Sequence, residues 1–71
     1  MNTSQVQSSI GRNIREMRMK QGISQDRLSK LTDLSLNTIV KIEAGKNKNP
    51  TIVTLAKIAQ SFNVSVDALI K

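Results

Sequence analysis

The sequence predicts a small all-α protein with five helices. Apolar residues recur three or four residues apart along most of the chain, and this spacing places them on one face of each helix. Serine or threonine stands at the start of each apolar segment, and glycine or asparagine follows the first, third and fourth, as is typical of helix starts and ends. A chain of 71 residues is expected to form one domain, spanning residues 1–71.

The first helix is expected from about Gln5 to Gln21. The stretch SQVQ at residues 4–7 has the form of a capping box, and Gly22 supplies a stop. Gly11 lies inside the helix, where glycine is unfavourable. The inward face consists of Val6, Ile10, Ile14 and Met17, and the outer side carries Arg12 and Arg15.

The second helix is expected from Gln25 to about Thr32, with Ser24 as its N-terminal cap. Leu28 and Leu31 are expected to face inward. The connection to the third helix is then the short stretch DLS at residues 33–35.

The third helix is expected to begin at Leu36 after a cap by Ser35 and to end at Gly45. Leu34 and Ile39 occupy the two positions of a hydrophobic staple, which fixes the angle at which the chain enters the helix. Ile39 and Ile42 share the inward face, whereas the outer side carries Asn37, Val40, Lys41 and Ala44, with Leu36 on the shoulder. Apolar residues that point outward beside an asparagine and a lysine raise the question of what they contact.

Two further helices complete the chain. The stretch KNKNP at residues 46–50 is a polar, basic loop, after which Thr51 is expected to cap the fourth helix and Asn63 to end it. Ser65 is expected to cap a short fifth helix. The fourth helix carries the apolar stripe Ile52, Leu55, Ile58, Ala59 and Phe62, and the fifth carries Val66, Leu69 and Ile70.

The composition favours a binding protein over an enzyme. The chain contains neither histidine nor cysteine, so the commonest general bases, nucleophiles and zinc ligands are missing. The five acidic residues are scattered, and no glycine-rich phosphate loop is present. Eleven lysines and arginines give a formal charge of +6, which favours a polyanionic partner, either nucleic acid or an anionic membrane surface. We therefore expect no catalysis, no metal and no cofactor.

The sequence also indicates where in the cell the protein is expected. Its apolar runs are far too short to span a bilayer, and MNTSQVQSS at the start lacks the basic-then-apolar pattern of a signal peptide. An anionic-membrane binder needs a long amphipathic helix with a dense basic face, and the pattern contains none. We therefore expect a cytoplasmic protein with no membrane partner and no evident small-molecule ligand.

The second and third helices form a helix-turn-helix pattern from about residue 25 to residue 44. Two short helices joined by a tight turn hold the third helix away from the body, so that its outer side can enter a major groove. Because any antiparallel helix pair shows similar periodicity, the pattern alone leaves a plain helical bundle open.

Three local motifs occur one after another along the chain. They are Gly22 with Ser24-Gln25, the run IVKIEAGK at residues 39–46, and Pro50-Thr51. Together with IGRNIREMRMKQG before them, they make the segment SQDRLSKLTDLSLNTIVKIEAGKNKNPTIVTLAKIAQSFNVSVDALI resemble the Cro and phage-repressor helix-turn-helix family (Cro/C1 type). The resemblance runs from about Ile10 to Ile70 and implies a compact, five-helix, lambda-repressor-like DNA-binding domain.

The resemblance also implies roles for particular residues. It places Leu36, Asn37 and Lys41 where family members touch base edges, and Gln25 where they bond a phosphate. Arg18 and Glu43 match a family pair that forms a buried salt bridge between the first and third helices. The stretch that follows the DNA backbone contains Ala44, Lys46, Asn47, Lys48 and Asn49.

Three positions depart from the family pattern. Ser29 stands where alanine is usual, Asp33 where glycine is usual, and Leu36 where glutamine or arginine is frequent. Aspartate tolerates the left-handed conformation that the turn needs. An apolar contact from Leu36 or Val40 can read the methyl group of thymine, the alternative being that Leu36 only packs on the shoulder of the second helix.

The resemblance implies a sequence-specific regulator of transcription, a repressor that binds double-stranded DNA as a homodimer. One helix reads too few base pairs to find a site in a genome, and paired half-sites solve that problem. The candidates for a self-complementary surface are Val66, Leu69 and Ile70, although Leu69 is equally suited to internal packing on the first helix. The alternative function is a protein-interaction module such as an antitoxin or coregulator domain, which would have no need of Lys41, Lys46 and Lys48 around the third helix.

Overall fold

The computed structural model describes residues 3–71, with side chains from residue 9 onward, and arranges them as five helices. They are α1 (Thr3–Lys20), α2 (Gln25–Thr32), α3 (Leu36–Glu43), α4 (Ile52–Phe62) and α5 (Asp67–Ile70). The Cα radius of gyration is 10.8 Å, and a compact domain of this length is expected to have about 11 Å. The prediction of a compact all-α fold of five helices is confirmed.

The first helix extends beyond the predicted start at Gln5, because α1 already begins at Thr3. Both Val6 and the expected capping box at residues 4–7 lie outside the side chains that the structure describes. At the other end, Gly22 adopts a left-handed conformation with φ +68°, which turns the chain towards α2 as predicted. None of the described helices is long and apolar enough to cross a membrane.

Side chains from all five helices form one core. Its fully buried members are Ile14, Leu28, Ile39, Ile42, Ile58 and Leu69. Leu34 and Met17 are partly buried and pack against this core, so Leu34 lies on the cluster that contains its predicted staple partner Ile39. Helix α1 packs against α3 and α5, while α2 packs against α3 and α4.

Two residues predicted to face the core are exposed instead. Leu31 is 49% exposed, since α2 buries Thr32, which lies four residues after Leu28 on the same face. The Thr32 hydroxyl donates to the Leu28 carbonyl at 2.8 Å, which satisfies a polar group that burial would otherwise penalise. Ile52 is 68% exposed because it lies in the first turn of α4, before the helix reaches the core at Leu55.

Three of the four predicted caps that fall on described side chains are confirmed. The hydroxyls of Ser24, Ser35 and Thr51 accept hydrogen bonds at 3.0–3.1 Å from the backbone N–H three residues later. The predicted cap by Ser65 is wrong, because α5 begins only at Asp67 and Val66 precedes it without a side-chain cap. Ser65 contributes its carbonyl instead, which accepts from the Ala68 N–H at 3.1 Å.

The glycine inside α1 lies at a close approach of α1 to the end of α3. A Cβ atom on Gly11 would overlap the carbonyl oxygen of Ile42 at the end of α3. Because this neighbour is backbone, it cannot rotate away as a side chain would. Gly11 therefore allows α1 and α3 to approach within a distance that no larger residue permits.

Candidate nucleic-acid interface

Helix α3 is amphipathic, and its outer side is open to solvent. Ile39 and Ile42 are buried in the core, as the spacing predicts. On the opposite side Leu36 is 43% exposed and Val40 is 39% exposed. The other exposed residues of this side are Asn37, Lys41 and Ala44. The structure thus brings the four predicted base-contacting residues onto one surface, while their contacts with DNA stay a prediction.

The turn before α3 is held by two residues that depart from the family pattern. The Ser29 hydroxyl donates to the Leu34 carbonyl at 2.7 Å, and the Leu34 N–H donates to the Ser29 carbonyl at 3.2 Å. Asp33 adopts the left-handed conformation expected of it, with φ 58°. The Ser29 bond was not anticipated from the sequence, although a serine in the last turn of a short helix is a recognised partner for nearby backbone carbonyls. Together these contacts fix the angle between α2 and α3.

An ion pair joins α1 to the end of α3. Arg18 donates from Nε to Glu43 Oε2 at 2.8 Å and from Nη2 to Glu43 Oε1 at 3.0 Å, so the pair is bidentate. Arg18 Nη1 donates to the Ile23 carbonyl at 2.9 Å, which ties the pair to the segment before α2. The hydrogen bond to Glu43 outweighs desolvation and raises the pKa of Arg18 above its usual value. The structure therefore contains the pair that the resemblance implies, with only 4% of the Glu43 side chain exposed.

Gln25 is the first residue of α2, and it contacts the same ion pair. Its side-chain Nε2 donates to Glu43 Oε1 at 3.2 Å. The amide is therefore held against the end of α3, and its second N–H is left for another acceptor. This contact with Glu43 was not predicted, and it positions Gln25 beside the outward side of α3.

The predicted backbone-contacting stretch directly follows α3. Gly45 is left-handed, with φ +76°, and the N–H groups of Lys46 and Asn47 donate to the Lys41 carbonyl at 2.9 and 3.2 Å. This wraps the loop around the end of the helix, where Asn47 Oδ1 accepts from the Asn49 N–H at 3.2 Å. Ala44, Lys46, Lys48 and Asn49 are exposed, whereas Asn47 is half-buried. Two lysine charges of the loop thus lie next to the surface of α3.

The comparison with known proteins agrees with this geometry. A family model described as helix-turn-helix matches residues 14–69 of the chain, which include α2, α3 and the basic loop. The chain belongs to the Cro/C1-type helix-turn-helix family. It is a DNA-binding transcriptional regulator of that family.

Two curated relatives carry the same description. An uncharacterised HTH-type transcriptional regulator of Archaeoglobus fulgidus is 41% identical over 56 residues, which cover 79% of this chain and 79% of the relative. An uncharacterised HTH-type transcriptional regulator of Sinorhizobium fredii is 30% identical over 56 residues, covering 79% of this chain and 71% of the relative. The match therefore spans most of this regulator and most of each relative.

A solved structure shares the fold of this helix-turn-helix regulator almost throughout. It is the restriction-modification controller protein C.AhdI from Aeromonas hydrophila, with a TM-score of 0.82 and 26% sequence identity. The similarity covers 96% of this chain and 98% of the controller protein. The lambda-repressor-like arrangement expected from the resemblance is confirmed at this level.

The three dimer candidates of the regulator differ in how deeply they are buried. Leu69 is fully buried in the core, so it has no surface to offer a partner and takes the internal packing that the sequence leaves open for it. Asn13 fixes this end of the chain, because its Nδ2 donates to the Leu69 and Lys71 carbonyls at 2.9 Å each. Val66 and Ile70 are half-buried and keep some accessible surface.

The described side chains offer little to a metal ion. Among residues 9–71, no three His, Cys, Asp or Glu side chains come together as a metal site requires. The exposed side chains on the outer side of α3 supply hydrogen-bonding groups, apolar surface and positive charge.

Proposed function

We propose that the chain is a sequence-specific repressor that inserts α3 into the major groove of double-stranded DNA. The observation that carries this proposal is the outward surface of α3, where Leu36, Asn37, Val40 and Lys41 are exposed together. An α-helix fits the major groove, in which every base pair presents a distinct set of donors, acceptors and methyl groups. An asparagine, a lysine and two apolar residues supply complementary groups.

The basic loop supports the same orientation. Lys46 and Lys48 are exposed beside the end of α3, where the DNA backbone would run if the helix lay in the groove. Lysines that neutralise phosphates release counterions, so binding is expected to weaken steeply with salt. We assign Gln25, Ala44, Lys46, Asn47, Lys48 and Asn49 to the backbone footprint, as the resemblance implies.

We further propose that the regulator binds as a homodimer. Val66 lies with Val64 and Ala56 along an open concavity of ≈ 430 Å³ formed by α4 and residues 63–66, and Ile70 is half-buried nearby in sequence. A self-complementary apolar surface on this side would present two copies of α3 to successive turns of the duplex. Residues 1–71 then act as one DNA-binding domain, in the cytoplasm and on the nucleoid.

The test begins with selection of bound fragments from a random pool of double-stranded DNA. We expect an enriched motif with two-fold symmetry, because a symmetric dimer reads an inverted repeat. A reporter placed downstream of the selected site should then be silenced by the wild-type chain but not by a chain carrying both Asn37→Ala and Lys41→Ala. Failure to enrich any sequence would favour the protein-interaction module, and enrichment of an asymmetric single site would contradict the dimer.

A further inference from the structure

An open notch lies between α1, the start of α2 and the outer side of α3. Its volume is ≈ 320 Å³, and it is lined by Arg15, Arg18, Gln25, Val40, Glu43 and Ala44. Val40 and Ala44 belong to the outward side of α3, so the notch opens on the surface that the proposed function turns towards DNA. The notch therefore has a defined position relative to the duplex.

The charges in the notch do not cancel completely. Arg18 and Glu43 neutralise one another through their bidentate pair, and Glu43 is almost fully shielded from solvent. Arg15 is exposed, and its guanidinium forms no hydrogen bond or ion pair with any residue whose side chain the structure describes. One net positive charge remains, and it belongs to Arg15.

A neutral donor, the Gln25 amide, also lines the notch. The Gln25 amide uses one N–H for Glu43 and keeps the other for an acceptor. An amide and a guanidinium that face one notch provide directional donors together with charge, which is the combination that a phosphate group attracts. We propose that Arg15 joins Gln25 in binding a single phosphate of the DNA backbone in this notch.

This inference rests on the proposed function. It distinguishes Arg15 from Arg12, although the sequence pattern places both on the outer side of the first helix. Arg12 lies one turn earlier on α1 and is also exposed, but it does not line the notch. Because both are arginines on the outer side of the same helix, periodicity gives no reason to prefer either. The structure assigns the phosphate to Arg15 and leaves Arg12 as solvated surface.

The first experiment measures affinity for the selected site as a function of salt. Arg15→Gln should reduce the slope of log affinity against log salt by about 0.9, as expected for one lost phosphate contact. Between 50 and 200 mM salt, the wild type should then lose about 3.5-fold more affinity than the variant. Arg12→Gln removes the same charge from the same helix and should leave the slope at the wild-type value.

Lys46→Gln serves as the positive control, because the proposed function places Lys46 on the backbone. A reduced slope for Lys46→Gln with an unchanged slope for Arg15→Gln overturns the inference and leaves the proposed function intact. Equal reductions for Arg12→Gln and Arg15→Gln also overturn it, since they would show a diffuse charge effect. If the wild type binds no DNA, the proposed function fails and the inference falls with it.

The second experiment asks whether Arg15 and Gln25 bind the same phosphate. Each phosphate of one half-site is replaced in turn by a neutral methylphosphonate, and affinity is measured for wild type, Arg15→Gln and Gln25→Ala. One position should weaken the wild type several-fold and each variant by a smaller factor, because each variant keeps only one of the two contacts with that phosphate. Different positions for the two variants would show that they bind separate phosphates and would overturn the shared site.

Discussion

The exposed residues of α3 offer three kinds of contact. The Asn37 amide both donates and accepts hydrogen bonds, whereas the Lys41 ammonium only donates. Leu36 and Val40 offer apolar surface, which responds to the thymine methyl and to no hydrogen-bonding group. The surface therefore divides into polar and apolar residues that different experiments can address.

Loss of a polar residue should reduce specificity more than general affinity. We expect Asn37→Ala and Lys41→Ala each to weaken binding to the selected site by about 5- to 150-fold, since a good base contact contributes about 1–3 kcal/mol. Binding to random DNA should change far less. Competition titrations measure the ratio, with Lys57→Ala on the exposed side of α4 as a control of equal size. Equal losses on both kinds of DNA would show that α3 does not read bases.

Leu36 should make the protein sensitive to the thymine methyl. Replacing the contacted thymine by uracil removes one methyl group, worth about 0.8 kcal/mol, so affinity should fall about three- to fourfold per half-site. Leu36→Ala should bind both DNAs almost equally, and Val40→Ala tests the neighbouring side chain in the same way. The double comparison is needed because uracil also alters DNA shape independently of Leu36. If the wild type tolerates uracil at every position, Leu36 contacts no thymine methyl and serves only in packing.

At the scale of helices, α3 is held by two contacts with α1 that differ in kind. The Arg18–Glu43 pair is a side-chain contact, and removal of either partner leaves a charge without its counterpart. The Gly11 contact is an approach of two backbones, and any added atom interferes with it. Both fix the orientation of the surface that α3 presents.

The ion pair predicts that the losses of stability caused by replacing Arg18 and Glu43 are far from additive. Arg18→Met and Glu43→Leu should each lower the free energy of unfolding by about 3–5 kcal/mol, whereas the double variant should be far closer to the wild type. Urea unfolding of the four proteins measures the coupling. Small and additive losses would show that solvent screens the pair despite its burial.

The close contact at Gly11 predicts that alanine, which normally stabilises a helix relative to glycine, destabilises the protein at this position. Alanine is favoured over glycine inside a helix by about 1 kcal/mol, so helix propensity alone would make Gly11→Ala stabilising. The overlap with the Ile42 carbonyl should reverse this and destabilise the fold by about 1–3 kcal/mol. Glu16→Ala, on the exposed side of the same helix, controls for the general effect of alanine. A more stable Gly11→Ala protein would mean that the two helices separate without cost.

These elements also show what sequence reasoning achieves here. Caps define α2, α3 and α4 correctly, because a hydroxyl that accepts from a backbone N–H three residues later is a purely local interaction. Periodicity failed at Leu31 and Ile52, since it shows which residues share a face but not where the neighbouring helix ends. The backbone contact of Gly11 and the bond from Gln25 to Glu43 depend on how distant segments pack, which no local pattern contains.

At the scale of the whole molecule, the proposed recognition surface and the proposed dimer surface occupy different elements. The former is built on α3, whereas Val64 and Val66 line the concavity formed by α4 and residues 63–66. A residue substituted on one of these surfaces is therefore not part of the other surface. This separation allows dimer formation to be changed without changing the residues assigned to the bases.

The dimer predicts that half-site spacing matters. Two half-sites about one helical turn apart lie on the same face of the duplex, and a symmetric dimer occupies both. Insertion of about five base pairs between them should turn the second half-site to the opposite face and reduce binding to that of one half-site. Gel-shift titrations with both spacings measure this. Unchanged affinity would show that each copy of the chain binds on its own.

The last prediction changes the protein instead of the DNA. In a two-fold interface a residue near the axis meets its own copy, so Val64→Glu should bring two like charges together in an apolar contact. Such a juxtaposition costs several kcal/mol, and we expect binding to paired half-sites to weaken by at least about tenfold. Binding to a single half-site should stay at the wild-type level, because α3 is untouched. Met19→Glu places the same charge on another exposed apolar residue, on α1, and should behave like the wild type on both DNAs. Sedimentation of the free proteins adds an independent measurement of self-association. If Val64→Glu weakens both DNAs equally, the substitution acts through the fold. If it weakens neither, the concavity formed by α4 and residues 63–66 is not the dimer surface.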